Sequence, residues 1–405
     1  MCLEKPLAHV KVPKRYDYLL IIAVVLMGMT SLLAIYSAFP LLNADVSGTR
    51  LIIQQSMWFV IGCVVAAVIL YLGNDNLFEL AKLGYYILLG MLAVLFVGKL
   101  TNAYLGFNLP FITPVNGAVS WFQFPFGSFQ PSEFMKVMLI IITAGVIDEH
   151  NQNKEFHSFQ SDIQLFIKII KWLAAPAVLI FIQPDTGILL VILIALAMMI
   201  ACCGIRREWL FLAGGLLVAV LAVFFYLYYN HFSLLSDLFG DPYKLRRFVG
   251  WLDTENNKIG AGQQLYTALL ALGSAGITGH GMQSEVVSLL EPQTDFIFAV
   301  FGQDFGLIGA LFIVGLCLFL DYRLYRILIM SDRQFDKLII CGTLGMLLYQ
   351  QIQNIGMVIG LLPITGITLP FISYGGSSLL SYFIIIGVVL NTSAKNTNVR
   401  KGFFL

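Results

Sequence analysis

Long uncharged apolar stretches alternate with short polar segments along the whole chain. A hydrocarbon core about 30 Å thick requires about 20 helical residues at 1.5 Å each. Four stretches reach that length without a charged side chain: 18–44, 51–74, 186–205 and 209–236. The pattern predicts that each of them crosses a membrane as a helix.

Less regular stretches add six further spans. Residues 338–394 contain no charged side chain, but Pro363, Gly366 and Pro370 divide them into two spans joined by a loop. Four shorter apolar segments are 83–98, 134–147, 165–182 and 296–320. We therefore expect an all-α polytopic membrane protein with about ten transmembrane helices, built as one membrane domain over residues 1–405.

The positions of the basic residues predict the orientation. With ten spans, most of them fall on one face: Lys5, Lys11, Lys14, Arg15, Lys168, Lys171, Arg206, Arg207, Arg323, Arg326, Arg333, Lys337, Lys395, Arg400 and Lys401. The positive-inside rule makes that face cytoplasmic, so both termini are expected there. Residues 230–295 also carry basic side chains, and we interpret them as a large extracytoplasmic loop between spans seven and eight.

Composition agrees with a membrane protein and excludes several other classes. The chain is 59% hydrophobic and 12% charged, whereas a soluble domain has about 25% charged residues. The net charge of +1 gives no reason to expect a nucleic-acid partner. The six cysteines have no metal-ligand spacing, and no dinucleotide or P-loop fingerprint occurs. We expect no nucleotide cofactor.

Three carboxylates from distant parts of the sequence are predicted to reach the outer end of the spans. Glu133 begins the fourth span, Asp185 ends the fifth, and Asp295 opens the eighth. Each has a structural alternative, because Asp295 can cap a helix, Asp185 can stabilise a turn, and Glu133 can pair with Lys136 three residues later. Charged groups at a membrane boundary are costly and mark function, so their shared level predicts a site.

Other polar features refine that expectation. Asp304 lies about 13 Å along the helix from Asp295 and needs a partner or a wet cavity. Most span centres carry no charge, which disfavours a gradient-driven transporter and favours chemistry on a lipid-linked headgroup. Trp121 and its neighbouring phenylalanines are typical of an interfacial belt, with a lipid-docking surface as the alternative.

Six motifs run in the same order along nearly the whole chain as in a known family. They are GAVSWF with FQPSEFMK (117–136), QPDTG (183–187), the segment 247–251, GHGMQS (279–284), EPQTDFIFAVFGQDFGLIG (291–309) and NIGMVIGLLPITGITLPFISYGGSSLLS (354–381). The chain thereby resembles the SEDS family (shape, elongation, division and sporulation), the RodA/FtsW group.

The resemblance implies a ten-span glycosyltransferase that polymerises lipid II at the outer face of the bacterial cytoplasmic membrane. Asp295 corresponds to the family's required aspartate, and Glu133, Lys136, Asp185 and Arg247 correspond to other motif positions. The family also implies a class B penicillin-binding protein as partner, other cell-wall elongation or division proteins, and a divalent cation such as Mg²⁺ or Mn²⁺.

Departures from the family pattern cluster around the same site. Ser120 stands before Trp121 where many members have arginine, and Gln293 stands where a histidine is common. The missing arginine and the NIGMVIG segment favour a RodA-like elongation member over an FtsW-like division member.

The residues suggest a mechanism for the implied reaction. An acceptor sugar hydroxyl attacks the donor anomeric carbon and expels polyprenyl diphosphate, with Asp295 as general base. Positive charge for the leaving group can come from a metal ion or from basic residues, which are Arg246, Arg247, Lys258 and Lys136. Two alternatives remain, a lipid II flippase and a non-catalytic scaffold for a penicillin-binding protein.

Overall fold

The computed structural model describes residues 16–107, 109–114, 118–125, 127–153, 158–239 and 242–402. Four basic residues that contribute to the predicted orientation, and the first residue of the GAVSWF motif, lie outside the described residues: Lys5, Lys11, Lys14, Arg15 and Gly117.

The described chain is almost entirely helical. The first seven helices are α1 Tyr18–Ser37, α2 Gly48–Leu72, α3 Leu77–Leu100, α4 Pro131–Gln152, α5 Phe159–Ile182, α6 Thr186–Cys202 and α7 Arg207–Asn230. Three shorter helices follow, α8 Phe232–Phe239, α9 Pro242–Leu252 and α10 Gln263–Ser274. The last three are α11 Ile297–Met330, α12 Gln334–Val358 and α13 Gly376–Gly402. The predicted all-α polytopic fold is confirmed.

The ten longer helices match the ten predicted spans. Within the described residues, seven helices are long and apolar enough to cross a membrane, namely α1, α2, α3, α5, α7, α11 and α13. Helix α6 is apolar but has only 17 residues, and α4 and α12 carry more polar side chains. Both α4 and α12 are buried along most of their length, so neighbouring helices rather than lipid surround their polar groups.

Several predicted span ends differ from the helices. Span 18–44 ends as a helix at Ser37, and a short 3-10 turn, Phe39–Leu41, follows. The helix over the predicted span 296–320 continues to Met330. Charged side chains beyond residue 320 have partners in neighbouring helices. Asp321 accepts a hydrogen bond from Gln351 at 3.2 Å, and Arg323 pairs with Asp17 at the start of α1.

A small hairpin was not anticipated in the outer segment before α4. Strand β1, Phe122–Phe124, pairs antiparallel with strand β2, Gly127–Phe129, so that Phe122 lies opposite Phe129. The aromatic stretch that the sequence placed in an outer loop is therefore an ordered hairpin adjoining the first turn of α4.

Helices α4, α12 and α13 form the interior of the bundle. Helix α13 packs on α2, α12 packs on α6 and α11, and α4 packs on α3. Helix α7 is different, because none of its residues is buried and its main packing partner is α8. It is attached to the bundle mainly through the segment that follows it.

Helix α11 is interrupted at Gly306, which has φ +65°. A Cβ atom at this position would collide with the backbone of Ile277 and Gly279, so only glycine allows the approach. The loop after α10 then bonds the backbone groups that the break exposes. The amides of His280 and Gly281 donate to the carbonyls of residues 303 and 304, both at 3.0 Å.

Asp304, for which the sequence required a partner or a wet cavity, has its partners in that same loop. Its carboxylate accepts hydrogen bonds from the amide of Gln283 at 2.7 Å and from the amide and hydroxyl of Ser284 at 3.1 and 2.6 Å. Asp304 is 1% exposed. It therefore fastens the GHGMQS loop to α11.

Replacing Asp304 by asparagine should destabilise the folded protein. Hydrogen bonds to a charged acceptor contribute about 1.5–3 kcal/mol each. The side-chain amide group of asparagine is itself a donor, and it would face the donors of Gln283 and Ser284. We expect a clear fall in the apparent Tm of the detergent-solubilised protein followed by intrinsic fluorescence. The exposed neighbour Glu285 is the control, and a Glu285→Gln variant that loses as much stability would contradict the assignment.

Candidate active site

Asp295 lies two residues before α11, in a turn that is half-buried. Removal from water and, to a smaller extent, the nearby Glu291 raise the pKa of Asp295, the positive charge of Arg247 lowers it, and the resulting pKa is about 6. The helix cap is Phe296, without a side-chain hydrogen bond. The capping alternative for Asp295 is therefore wrong, and its carboxyl is left for another role.

The connection between α12 and α13, residues 359–375, passes directly beside this carboxylate. Gly366 in that connection has φ +75°, and a Cβ built on it would lie 3.3 Å from Asp295 Oδ2. Glycine suits this backbone conformation, and any side chain there would press on the Asp295 carboxylate. We call residues 359–375 the connecting segment.

Arg247 reaches the same connecting segment from α9. Its Nη1 donates to the carbonyl oxygens of Ile364 at 3.5 Å and Thr365 at 3.2 Å. One turn later, Trp251 Nε1 donates to the carbonyl of Gly360 at 2.9 Å. These two residues therefore dock α9 on the connecting segment. The positive charge of Arg247 lowers the pKa of Asp295.

A second polar cluster surrounds Asp185, at the start of α6. Asp185 Oδ2 accepts hydrogen bonds from Gln130 Nε2 and Ser132 Oγ, both at 2.7 Å. Burial raises the pKa of Asp185, and the hydrogen bonds from Ser132 and Gln130 act in the opposite direction. Trp121 belongs to this cluster, because its Nε1 donates to Gln130 Oε1 at 3.0 Å.

The expected ion pair between Glu133 and Lys136 is present inside the bundle. Lys136 is completely buried, and Glu133 is 4% exposed. The Lys136 ammonium also lies 4.5 Å from the centre of the Tyr382 ring, whose hydroxyl accepts a hydrogen bond from Gln350 at 2.9 Å. The pair therefore ties α4 to α12 and α13.

The connecting segment joins the two clusters. Next to Asp185, a Cβ on Gly187 would lie 3.2 Å from Ile367 Cγ1 and 3.6 Å from the carbonyl oxygen of Thr365. Gly187, two residues after Asp185, thus lies against the same stretch of chain that passes Asp295, although 110 sequence positions separate the two aspartates.

Two of the predicted basic residues stand apart from Asp295. Arg246 is exposed, and Lys258 is exposed with its ammonium 5.0 Å from the centre of the Tyr266 ring. The charges that act on the Asp295 carboxyl are those of Glu291 and Arg247. Arg247 is consequently the basic residue that the structure brings to this carboxylate.

The two departures from the family pattern have structural partners. Ser120 is buried and donates to the carbonyl of Gln183 at 2.9 Å, which joins the hairpin region to the end of α5. Gln293 Nε2 donates to Glu291 Oε2 at 3.0 Å. That bond holds a carboxylate whose charge influences Asp295.

The described residues do not form a resident site for a divalent cation. No group of three or more histidine, cysteine, aspartate or glutamate side chains in this part of the chain has suitable geometry. Lys136 already supplies the positive charge beside Glu133, and Asp185 is held by neutral donors. The divalent cation stays a prediction, and the mechanism below uses no step through it.

Sequence reasoning missed the amide-rich part of α12. Gln350, Gln351, Gln353 and Asn354 are all buried, and they contact four different parts of the bundle. Their signal was visible as the run QQIQN in an otherwise apolar span. Polar side chains within a membrane helix indicate interhelical contacts or function.

Comparisons with known proteins support a family assignment. Residues 17–398 match the family model of cell cycle proteins named for FtsW, RodA and SpoVE. A relative from Lactococcus lactis, named probable peptidoglycan glycosyltransferase FtsW, is 30% identical over 357 residues, covering 85% of this chain and 84% of the relative. Stage V sporulation protein E of Bacillus subtilis is 34% identical over 282 residues, covering 69% and 72%.

Solved structures have the same fold. One comes from work on the structural coordination of polymerization and crosslinking by a peptidoglycan synthase complex. It has a TM-score of 0.71 and 26% identity, covering 94% of this chain and 98% of that chain. The rod shape determining protein RodA of Thermus thermophilus has a TM-score of 0.63 and 25% identity, covering 94% and 97%. With 382 of its 405 residues inside the family match, the chain belongs to the FtsW/RodA/SpoVE family of integral membrane proteins.

Proposed function

We propose that this chain is a glycosyltransferase that polymerises lipid II into glycan strands at the outer face of the bacterial cytoplasmic membrane. The observation that carries the proposal is that Asp295 and Arg247 meet the same part of the connecting segment: a Cβ on Gly366 would lie 3.3 Å from Asp295 Oδ2, and Arg247 donates to the carbonyls of Ile364 and Thr365. The pKa of the Asp295 carboxyl is raised to about 6. A base with a pKa near the working pH suits proton abstraction from an alcohol. The relatives named as peptidoglycan glycosyltransferases support the same reading.

The chemistry of the step follows from these two groups. The 4-hydroxyl of the acceptor sugar forms a bond to the donor anomeric carbon while the bond from that carbon to the diphosphate oxygen breaks. Asp295 accepts the hydroxyl proton as the new bond forms. Arg247 stabilises the negative charge that develops on the polyprenyl diphosphate. The energy comes from the diphosphate linkage, so no nucleotide is required.

The clusters around Asp185 and Lys136 have a supporting role in this proposal. Asp185, Glu133 and Lys136 are each satisfied by protein partners, as expected for groups that shape a cavity. Trp121 reaches the cluster through Gln130 and is placed to line the approach of a lipid-linked sugar.

A partner and a cellular role complete the proposal. A class B penicillin-binding protein would crosslink the strands, as the relative described as part of a peptidoglycan synthase complex suggests. We assign the chain to elongation, in the manner of RodA, rather than to division. Relatives from both groups are similar to it, so this assignment rests on the sequence departures at Ser120 and the NIGMVIG segment.

Changing Asp295 to asparagine should abolish polymerisation while the protein still folds. Loss of a general base costs about 10²–10⁴-fold in rate. The measurement is glycan polymer formed from labelled lipid II by purified protein with its partner. Asp253→Asn is the matched control, because Asp253 lies in the same 230–295 region and its carboxylate contacts Asn256. Transbilayer movement of lipid II without polymer would favour a flippase, and neither polymer nor movement from the wild-type protein would favour a scaffold. Normal polymer from Asp295→Asn would show that another group is the base.

The rate should rise with pH and level off above about 6, because Asp295 acts only when it is deprotonated. Below that pH, kcat/KM should fall about tenfold per unit. Replacing Glu291 by glutamine removes a negative charge that opposes ionisation, so the acid limb should move to lower pH. An acid limb that stays in place, or moves upward, would contradict the assignment of Asp295.

Replacing Arg247 by glutamine should lower kcat by about 10²–10³-fold, the usual effect of removing a group that stabilises transition-state charge. The adjacent and exposed Arg246 is the matched comparison, and Arg246→Gln should retain a rate near that of the wild type. Equal losses in the two variants would show that general positive charge, rather than the position of Arg247, matters for the reaction.

A further inference from the structure

The turn that carries Asp295 has little secondary structure of its own to hold it. Residues 290–296 precede α11, and Glu291 within them has φ +50°, a conformation that non-glycine residues seldom adopt. Among its own bonds, the amide of Thr294 donates to the carbonyl of Glu291 at 3.2 Å. The position of Asp295 therefore depends on contacts from elsewhere.

Three successive carbonyl groups of this turn each accept a hydrogen bond from α12 or the connecting segment. The amide of Tyr374 donates to Gln293 at 2.9 Å. Ser373 Oγ donates to Thr294 at 2.7 Å, and Asn354 Nδ2 donates to Asp295 at 2.9 Å. Every donor comes from a part of the chain at least 59 positions away.

Asn354 makes a second hydrogen bond, which holds the main chain of Asp295 close to the connecting segment. Its Nδ2 also donates to the carbonyl of Ile367 at 2.8 Å. Ile367 follows Gly366, where a Cβ would lie 3.3 Å from the Asp295 carboxylate. A single amide group thus joins the main chain of Asp295 to the main chain of the segment on which Arg247 is docked.

Ser373 has an equivalent double role. Its hydroxyl accepts a hydrogen bond from the amide of Leu369 at 2.8 Å while it donates to Thr294. Asn354 is completely buried and Ser373 is 6% exposed. Neither side chain is accessible to a lipid-linked sugar, so any influence on the reaction must act through Asp295.

We propose that Asn354 and Ser373 are positioning residues that hold the Asp295 turn against the connecting segment on which Arg247 is docked. The expected change in kcat rests on the proposed function. The positioning of the Asp295 turn rests on the hydrogen bonds alone. A displacement of about 1 Å at a reacting group can cost about 10²-fold in rate. Loss of the bond should therefore lower kcat without altering the binding of substrate.

The kinetic test compares two buried asparagines. Asn354→Leu removes the amide that bonds to Asp295, whereas Asn391→Leu removes an amide that bonds Ile69 at 2.8 Å, between α13 and α2. With labelled lipid II and the partner protein, Asn354→Leu should reduce kcat by about 10²-fold at unchanged KM. Asn391→Leu should keep the wild-type kcat. Equal kcat values in the two variants would overturn the proposal.

Ser373 keeps the test decisive if Asn354→Leu does not fold. Ser373→Ala removes the hydroxyl and should lower kcat, whereas Ser373→Thr retains it and should recover most of the rate. If both variants match the wild type, or if the alanine variant changes only KM, the positioning role is wrong.

A second measurement does not depend on activity. Carbodiimides modify protonated carboxyl groups, so the extent of Asp295 labelling at pH 6, measured by mass spectrometry, reports its environment. Glu291 and Arg247 are the charged groups that act on Asp295, and both remain in Asn354→Leu. Labelling should differ from the wild-type level in Asn354→Leu, because both the protonation and the accessibility of Asp295 depend on its position, and it should stay at the wild-type level in Asn391→Leu. Unchanged labelling in both variants would overturn the inference. Wild-type protein that labels as expected but forms no polymer would refute the proposed function alone.

Discussion

The connecting segment between α12 and α13 is the constraint on which the rest of the site depends. Buried backbone groups need hydrogen-bond partners, and the proline and glycine residues of this segment prevent a helix from supplying them. Its backbone therefore bonds to side chains and main-chain groups of other elements. Arg247 and Trp251 bond to its carbonyls, and Asn354 bonds to it and to Asp295 at once. An irregular stretch within the bundle thereby becomes the support for a carboxylate.

Position determines the chemistry of that carboxylate. An aspartate in water has a pKa near 3.9 and is a weak base, but burial brings the pKa of Asp295 to about 6 despite the nearby Arg247. Asp304 differs, because three donors from the GHGMQS loop fix it in a structural role. Three donors also fix the main chain of the Asp295 turn, while its carboxylate lies beside Gly366 of the connecting segment. Two carboxylates nine residues apart thus have distinct roles because their hydrogen bonds differ.

The sequence predicted the spans better than the contacts between them. Apolar runs sufficed for the ten long helices, and Pro363 and Gly366 marked the break between α12 and α13. The resemblance singled out Asp295 and Arg247, and both contact the connecting segment around residues 364–366. The sequence did not predict the hairpin at 122–129, whose strands have only three residues each, or the three helices after α7, which are too short to give a span pattern. It did not predict the partners of Asp304 because they lie 20 and 21 positions away. The bond from Asn354 to Asp295 spans 59 positions, so no local pattern could reveal it, although the amide-rich run in α12 suggested that something polar lay opposite.

Hydrogen–deuterium exchange of the wild-type protein tests this central constraint most directly. The amides of Leu369, Ile372, Ser373 and Tyr374 all donate within the segment or to the Asp295 turn. Exchange from buried, bonded amides requires a local opening, so peptides covering 369–374 should exchange as slowly as those from α12, despite having no regular secondary structure. Exchange as fast as that of the exposed residues 255–260 would contradict the account, because a mobile segment could not hold Asp295 in place.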